Sequence, residues 1–155
     1  LETVCRRACR GLDLPVPAAD AALAGEIMSA VRREYPFAVS SDAAAALICA
    51  QRGSVYAQLD DRAQMIGGIM PRAQPDGGSV LRALRRSCAV LVPGVGAVCR
   101  AENEGDLAAV RLLAEKACVC RVHTRELGLR CRLPLPDVLK MRNTYLKKYS
   151  KQAAG

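Results

Sequence analysis

Ser87-Cys88-Ala89-Val90-Leu91-Val92-Pro93-Gly94-Val95-Gly96-Ala97-Val98-Cys99-Arg100 is the stretch on which the fold turns. Cys88–Val92 is an unbroken apolar run, and Ala97–Arg100 is its return. Pro93-Gly94-Val95-Gly96 between them reads as a tight hairpin turn, with glycines where side chains would obstruct the chain. The same glycines would let a ligand approach closely. They match neither the Rossmann nor the P-loop fingerprint, because a strand and not a helix follows them. After the hairpin, Leu107, Val110, Leu113, Ala114, Ala117 and Cys118 recur at helical spacing. They predict one long helix over about 104–127, with Gly128 as its stop.

The reading extends upstream in the same way. Leu23, Ile27, Ala30 and Val31 predict a helix over 18–33, ended by Pro36. Phe37-Ala38-Val39 reads as a short buried strand. Ser40-Ser41-Asp42 offers N-caps for a helix over 43–51 that Gly53 closes. Val55–Leu59 is a strand or an extended arm, and Ile69-Met70-Pro71 a further short strand. Pro75-Asp76-Gly77-Gly78 is a turn, after which Ser79 caps a basic helix over 80–86. A short helix over 1–14 would carry Cys5 and Cys9 on one face. Past Pro134 and Pro136, a last helix spans about 137–148. Helices alternating with apolar-run strands define an α/β fold whose sheet is covered on both faces. No internal repeat or linker divides it, so residues 1–155 read as one domain, with 138–155 a basic C-terminal helix and tail.

Composition narrows the partners. The 155 residues are 51% hydrophobic and 25% charged, which is ordinary globular composition. No apolar run approaches a membrane span, and Leu1–Arg7 does not begin like a signal peptide. The net charge is +8, yet Lys140, Arg142, Lys147, Lys148 and Lys151 supply five of it with no acid among them, leaving +3 for residues 1–137. The basic excess is thus largely a tail property. A basic tail invites a nucleic-acid partner, but four Tyr, one Phe and no Trp leave few rings for stacking bases. Eight cysteines, several in apolar stretches such as Leu47-Ile48-Cys49-Ala50, read as buried free thiols of a reducing cytoplasm.

Few residues suggest chemistry. His123 is the only histidine, so no site here draws two imidazoles from one chain. Cys118, Cys120 and His123 share a helix, where residues two apart point roughly 200° away from each other. They do not converge, and a fourth ligand is missing. Core packing is expected for Cys118 and a solvated position for His123. The Cys5/Cys9 pair lacks two further ligands. Asp60-Asp61 is the one adjacent acid pair, a turn or a helix cap unless a ligand uses it. Lys116 follows Glu115 on an amphipathic helix and is expected to be solvated.

The order of strand, Pro-X-X-Gly turn, strand, acidic linker and long Ala/Leu/Glu helix resembles the closing part of the class II aldolase/adducin family. Phe37–Ser41 before an Ala-rich helix is similar to the strand that carries His-X-His in that family. The resemblance covers about residues 18–150. It implies a three-layer α/β/α sandwich with a mixed central sheet. It also implies zinc held by three histidines, acting as a Lewis acid on sugar phosphates. The family turn usually reads Pro-Asn-His-Gly, so the third histidine falls at Val95. The His-X-His pair falls around Ala38–Ser41, again without an imidazole. Asp20 lies loosely where the family places a glutamate. The Gly-rich phosphate-binding segment has no counterpart here.

The resulting expectation is a degenerate domain without catalytic residues, metal or other cofactor, serving structure, regulation or assembly as the adducin heads do. It would be a homo-oligomer, and its partner would be a phosphorylated sugar near Ser40, Ser41, Asp42, Asp60, Asp61, Gly94 and Gly96. The alternatives are a sugar-phosphate enzyme whose site is completed by another chain or by a preceding segment, and a basic nucleic-acid-binding module.

Overall fold

The computed structural model of the protein describes residues 14–152. The short helix expected near the N-terminus, with Cys5 and Cys9, lies outside the described residues. In chain order the elements are α1 (Ala21–Glu34), β1 (Ala38–Ser41), α2 (Ala44–Arg52), β2 (Val55–Tyr56), α3 (Asp60–Met65), β3 (Ile69–Met70), α4 (Gly77–Leu84), β4 (Ala89–Val92), β5 (Gly96–Arg100), α5 (Glu104–Glu126) and α6 (Leu135–Gln152).

The β4–β5 hairpin forms where the apolar run and its turn place it. β5 is the middle strand of a three-stranded sheet ordered β1-β5-β4, and both pairings are antiparallel. β2 and β3 make a separate antiparallel pair. The mixed central sheet implied by the family resemblance is not seen as such. The named strands pair antiparallel throughout, and parallel character enters through a bridge between Arg72 and Leu91. There Leu91 donates its N–H to Pro71 and accepts one from Ala73, which ties the chain after β3 to the edge of β4.

Every residue of β4 is buried, which explains its lack of polar alternation. Its side chains divide between two clusters. Ala89 and Leu91 join Ala97 and Cys99 of β5 against α2 and α5. Val90 and Val92 join Val98 against Ile27, Met28 and Val31 of α1 and Val80 and Leu84 of α4. α2 is buried from Ala44 through Ala50. Its alanines present so little side chain that the helix lies close against both the sheet and α5. A third, small cluster of Ala57, Ala63 and Val138 seats α6 on α3.

Three helix starts differ from the sequence expectation. Asp20 caps α1, its carboxylate accepting the Leu23 N–H at 3.0 Å, so the helix begins at Ala21. Ser40 and Ser41 are strand residues and not caps, because Ser41 is held in the ladder opposite Ala97. Asp76, not Ser79, caps α4 by accepting the Ser79 N–H at 2.8 Å, and Gly77 and Gly78 fall inside the helix. A carboxylate at the N-cap suits the helix dipole as well as the free amides. α6 takes in Pro136, which the first turn of a helix tolerates because it needs no donor there.

Candidate functional site

The site is built where the hairpin turn meets the end of β1. Val95 donates its N–H to the Val92 carbonyl at 3.0 Å, closing a four-residue turn with Pro93 second and Gly94 third. Gly94 has φ +76°, the left-handed conformation that a type II turn requires at its third residue. Gly96 has φ +100°, and a Cβ there would lie 2.0 Å from the Ser41 carbonyl oxygen. No other residue fits. The close passage brings Gly96 onto Ser41 and Asp42. Gly94 lies against Leu23 and Asp20, and its carbonyl accepts the Asp20 N–H at 2.7 Å. Asp20 therefore does reach the turn, but its carboxylate caps α1.

Ser41 points toward α5. Its hydroxyl donates to Glu115 Oε1 at 2.5 Å, the length of a charge-assisted O–H to carboxylate bond. Arg111, one turn earlier on α5, donates Nε to the same oxygen at 3.0 Å. Ser41 and Glu115 are 2% and 5% exposed, whereas the Arg111 side chain stands 44% exposed at the rim. The carboxylate is thereby paired on both sides, as a buried charge must be. Beside the trio an open groove of about 440 Å³ is lined by Val39, Leu107, Ala108 and Leu112, with Glu104, Arg111 and Glu115 as its charged residues. Arg111 is the cation of that lining, and Glu115 already pairs with its Nε. Ser41 is too enclosed to act as a nucleophile and serves to hold Glu115.

Of the remaining candidates, Ser40 and Asp42 flank Ser41, and the acid pair lies elsewhere. Ser40 is half-buried in β1 and Asp42 is exposed just after it. Asp60 and Asp61 occupy the first turn of α3. Asp61 pairs with Lys116 at 3.0 Å across an exposed surface, so Lys116 is an ion-pair partner and not a free amine. Cys118 is fully buried among the core residues of α5. Burial also raises the thiols of Cys88 and Cys99 above their ordinary value. For Cys118 the first cause is its contact with Cys49, then burial. His123 is not solvated but half-buried, and its Nε2 has no partner among the described residues. Glu115 and Arg111 were missed by sequence reasoning, although an Arg and a Glu four apart on a helix are a visible pair.

Zinc, which the family resemblance implies, does not fit the residues present. Val95 is 1% exposed and belongs to the apolar cluster of α1, β4 and β5. Val39, Ser40 and Ser41 bring no imidazole. Glu115, the one buried carboxylate among the described residues, has a guanidinium against it, which repels a second cation. Among the described residues no three His, Cys, Asp or Glu side chains gather closely enough to hold a metal.

In shape, the fold is that of a class II aldolase. The chain superposes on L-fuculose 1-phosphate aldolase with a TM-score of 0.67 at 15% sequence identity, over 79% of this chain. The match spans 63% of that aldolase, under two thirds of its length. No protein-family profile matches the sequence, and no curated protein matches it in sequence. No helix of the described residues is long and apolar enough to cross a membrane.

Proposed function

We propose that this is an aldolase-fold domain without the zinc chemistry of its structural neighbour, acting as a non-catalytic binding and assembly module. One observation carries the reading. Val95, at the turn position where the family resemblance places a histidine, is packed into an apolar cluster, and no imidazole is near to replace it. The carboxylate best placed for proton transfer, Glu115, is occupied by Ser41 and Arg111. Its ligand is a phosphorylated sugar, whose phosphoryl group would meet Arg111 at the exposed rim of the groove, away from Glu104 and Glu115, and the assembly is a homo-oligomer.

Metal analysis tests this directly. Protein refolded or expressed in excess zinc is expected to carry far less than one equivalent and to leave L-fuculose 1-phosphate uncleaved. Stoichiometric zinc together with cleavage would overturn the proposal in favour of an enzyme whose site is completed by another chain. Light scattering reads the assembly state, for which a monomer is the opposing result.

A further inference from the structure

The charge of residues 1–137 is not spread evenly. Arg72, Arg82, Arg85 and Arg86 against Asp76 give residues 72–86 a net charge of +3, equal to that of the whole 1–137 segment. The fold gathers these arginines on one surface. Arg72 comes from the chain that bridges to β4, and the other three from α4 and the turn after it. They line a groove of about 620 Å³ whose other walls are Pro71, Ala73, Ser79 and Ala83, with no acid among them. The groove shares no residue with the one beside Arg111.

Arg72 and Arg82 are held in place by hydrogen bonds. Arg72 donates Nε to the Ala50 carbonyl at 2.8 Å, which fixes its stem. Arg82 donates to Ser79 Oγ at 2.9 Å, orienting its guanidinium along the helix. Arg85 pairs with Glu34 at 3.4 Å. Arg72, Arg82 and Arg86 have no ion pair among the described residues, and all three are exposed. Asp76 interacts with Arg82, but the arginines outnumber it, and their excess in one concavity focuses a positive potential. Each fork suits two oxygens of a phosphoryl group, so together they offer more donors than one phosphoryl group uses. The walls hold no aromatic ring on which a base would stack.

We propose that this groove binds a small polyanion with two or more phosphoryl groups, through Arg72, Arg82 and Arg86. The site is separate from the sugar-phosphate groove and stands whether or not that reading does. Titration calorimetry at fixed ionic strength tests it with orthophosphate, pyrophosphate and tripolyphosphate as probes. Pyrophosphate and tripolyphosphate are expected to bind at least about tenfold tighter than orthophosphate, since each added phosphoryl group engages another fork. The exposed double substitution Arg82→Ala/Arg86→Ala should lose about tenfold or more, with its thermal melt near that of the parent. Lys148→Ala on α6 should change nothing. Equal affinity in the double variant, or no discrimination among the three anions, overturns the proposal. So does a DNA duplex that outcompetes tripolyphosphate at equal phosphate concentration, which would make the surface a nucleic-acid interface.

Discussion

Single residues set the geometry at the end of β1. Gly96 does two things at once: it takes a φ of +100° and it lets the Ser41 carbonyl pass where a Cβ would be. Gly96→Ala should therefore destabilise the domain by at least about 3 kcal/mol, since the positive φ and the backbone collision add. Gly25, in the interior of α1 with nothing within 4 Å of its would-be Cβ, is the matched control. Gly25→Ala should stabilise by about 0.5–1 kcal/mol, because alanine loses less backbone freedom in a helix. Urea unfolding of both variants gives the comparison, and a neutral Gly96→Ala would mean that the turn does not press against β1. The need for glycine was legible from the turn itself. Its collision partner, Ser41, was not, because the two meet only through strand pairing across more than fifty residues of chain. Glu115 was hidden for the same reason: its hydroxyl partner is 74 positions away.

Among the elements, β4, β5 and α5 were readable because one kind of signal dominated each: an unbroken apolar run, a Pro-Gly turn, or a long helical stripe. The start of α4 was not. Asp76 and Ser79 are both good caps, and the intervening glycines look like loop until the carboxylate claims the Ser79 amide. The last helix shows a different limit. Counted by charge it is a solvated tail, yet Arg142 turns inward and donates to the carbonyls of Gln64 and Met65 at the end of α3. Val138, 3% exposed, packs with Ala57 and Ala63. α6 is thus docked by apolar contacts of Val138 and Met141 and by a cation that satisfies carbonyls left free at a helix C-terminus. Val138→Asp places an unpaired charge in that contact and should release α6. Amide exchange in α6 and α3 should then accelerate by tenfold or more, on the order of 1–3 kcal/mol of local stability. The β4–β5 amides should stay protected. Unchanged exchange in α6 would show that the apolar contact contributes nothing to its docking.

At the scale of the whole molecule, the core holds ionisable groups whose titration burial shifts. Cys88 and Cys99 are raised by burial, and Cys118 by its contact with Cys49 and then by burial, from an ordinary value of 9.0. Arg62 is 0% exposed, with its guanidinium donating to Val55 and Gly68 carbonyls and no ion pair to a carboxylate among the described residues. Burial lowers it to about 10. These groups act with opposite signs. The folded state keeps the three thiols protonated where the unfolded chain ionises them, so their stabilisation is complete below pH 9 and is lost as pH rises above it. Each contributes a fall of up to about 1.4 kcal/mol per pH unit while it stays protonated in the folded state, or about 3 for the fully buried Cys99 and Cys118 together. Arg62 does the reverse: the folded state loses its proton first, so stability gains up to about 1.4 kcal/mol per unit, but only above pH 10. The thiols act from about pH 9, and Arg62 opposes them increasingly as pH passes 10. Denaturant unfolding under reducing conditions should show stability falling from pH 9 upward, with Arg62 offsetting part of the fall above pH 10. Cys99→Ala/Cys118→Ala should flatten the slope by up to about 2.7 kcal/mol per pH unit, whatever the cavity costs in absolute stability. A parent protein equally stable at pH 8 and pH 10 would mean that solvent reaches these thiols in the folded state, and that the two faces of the sheet are not closed around them.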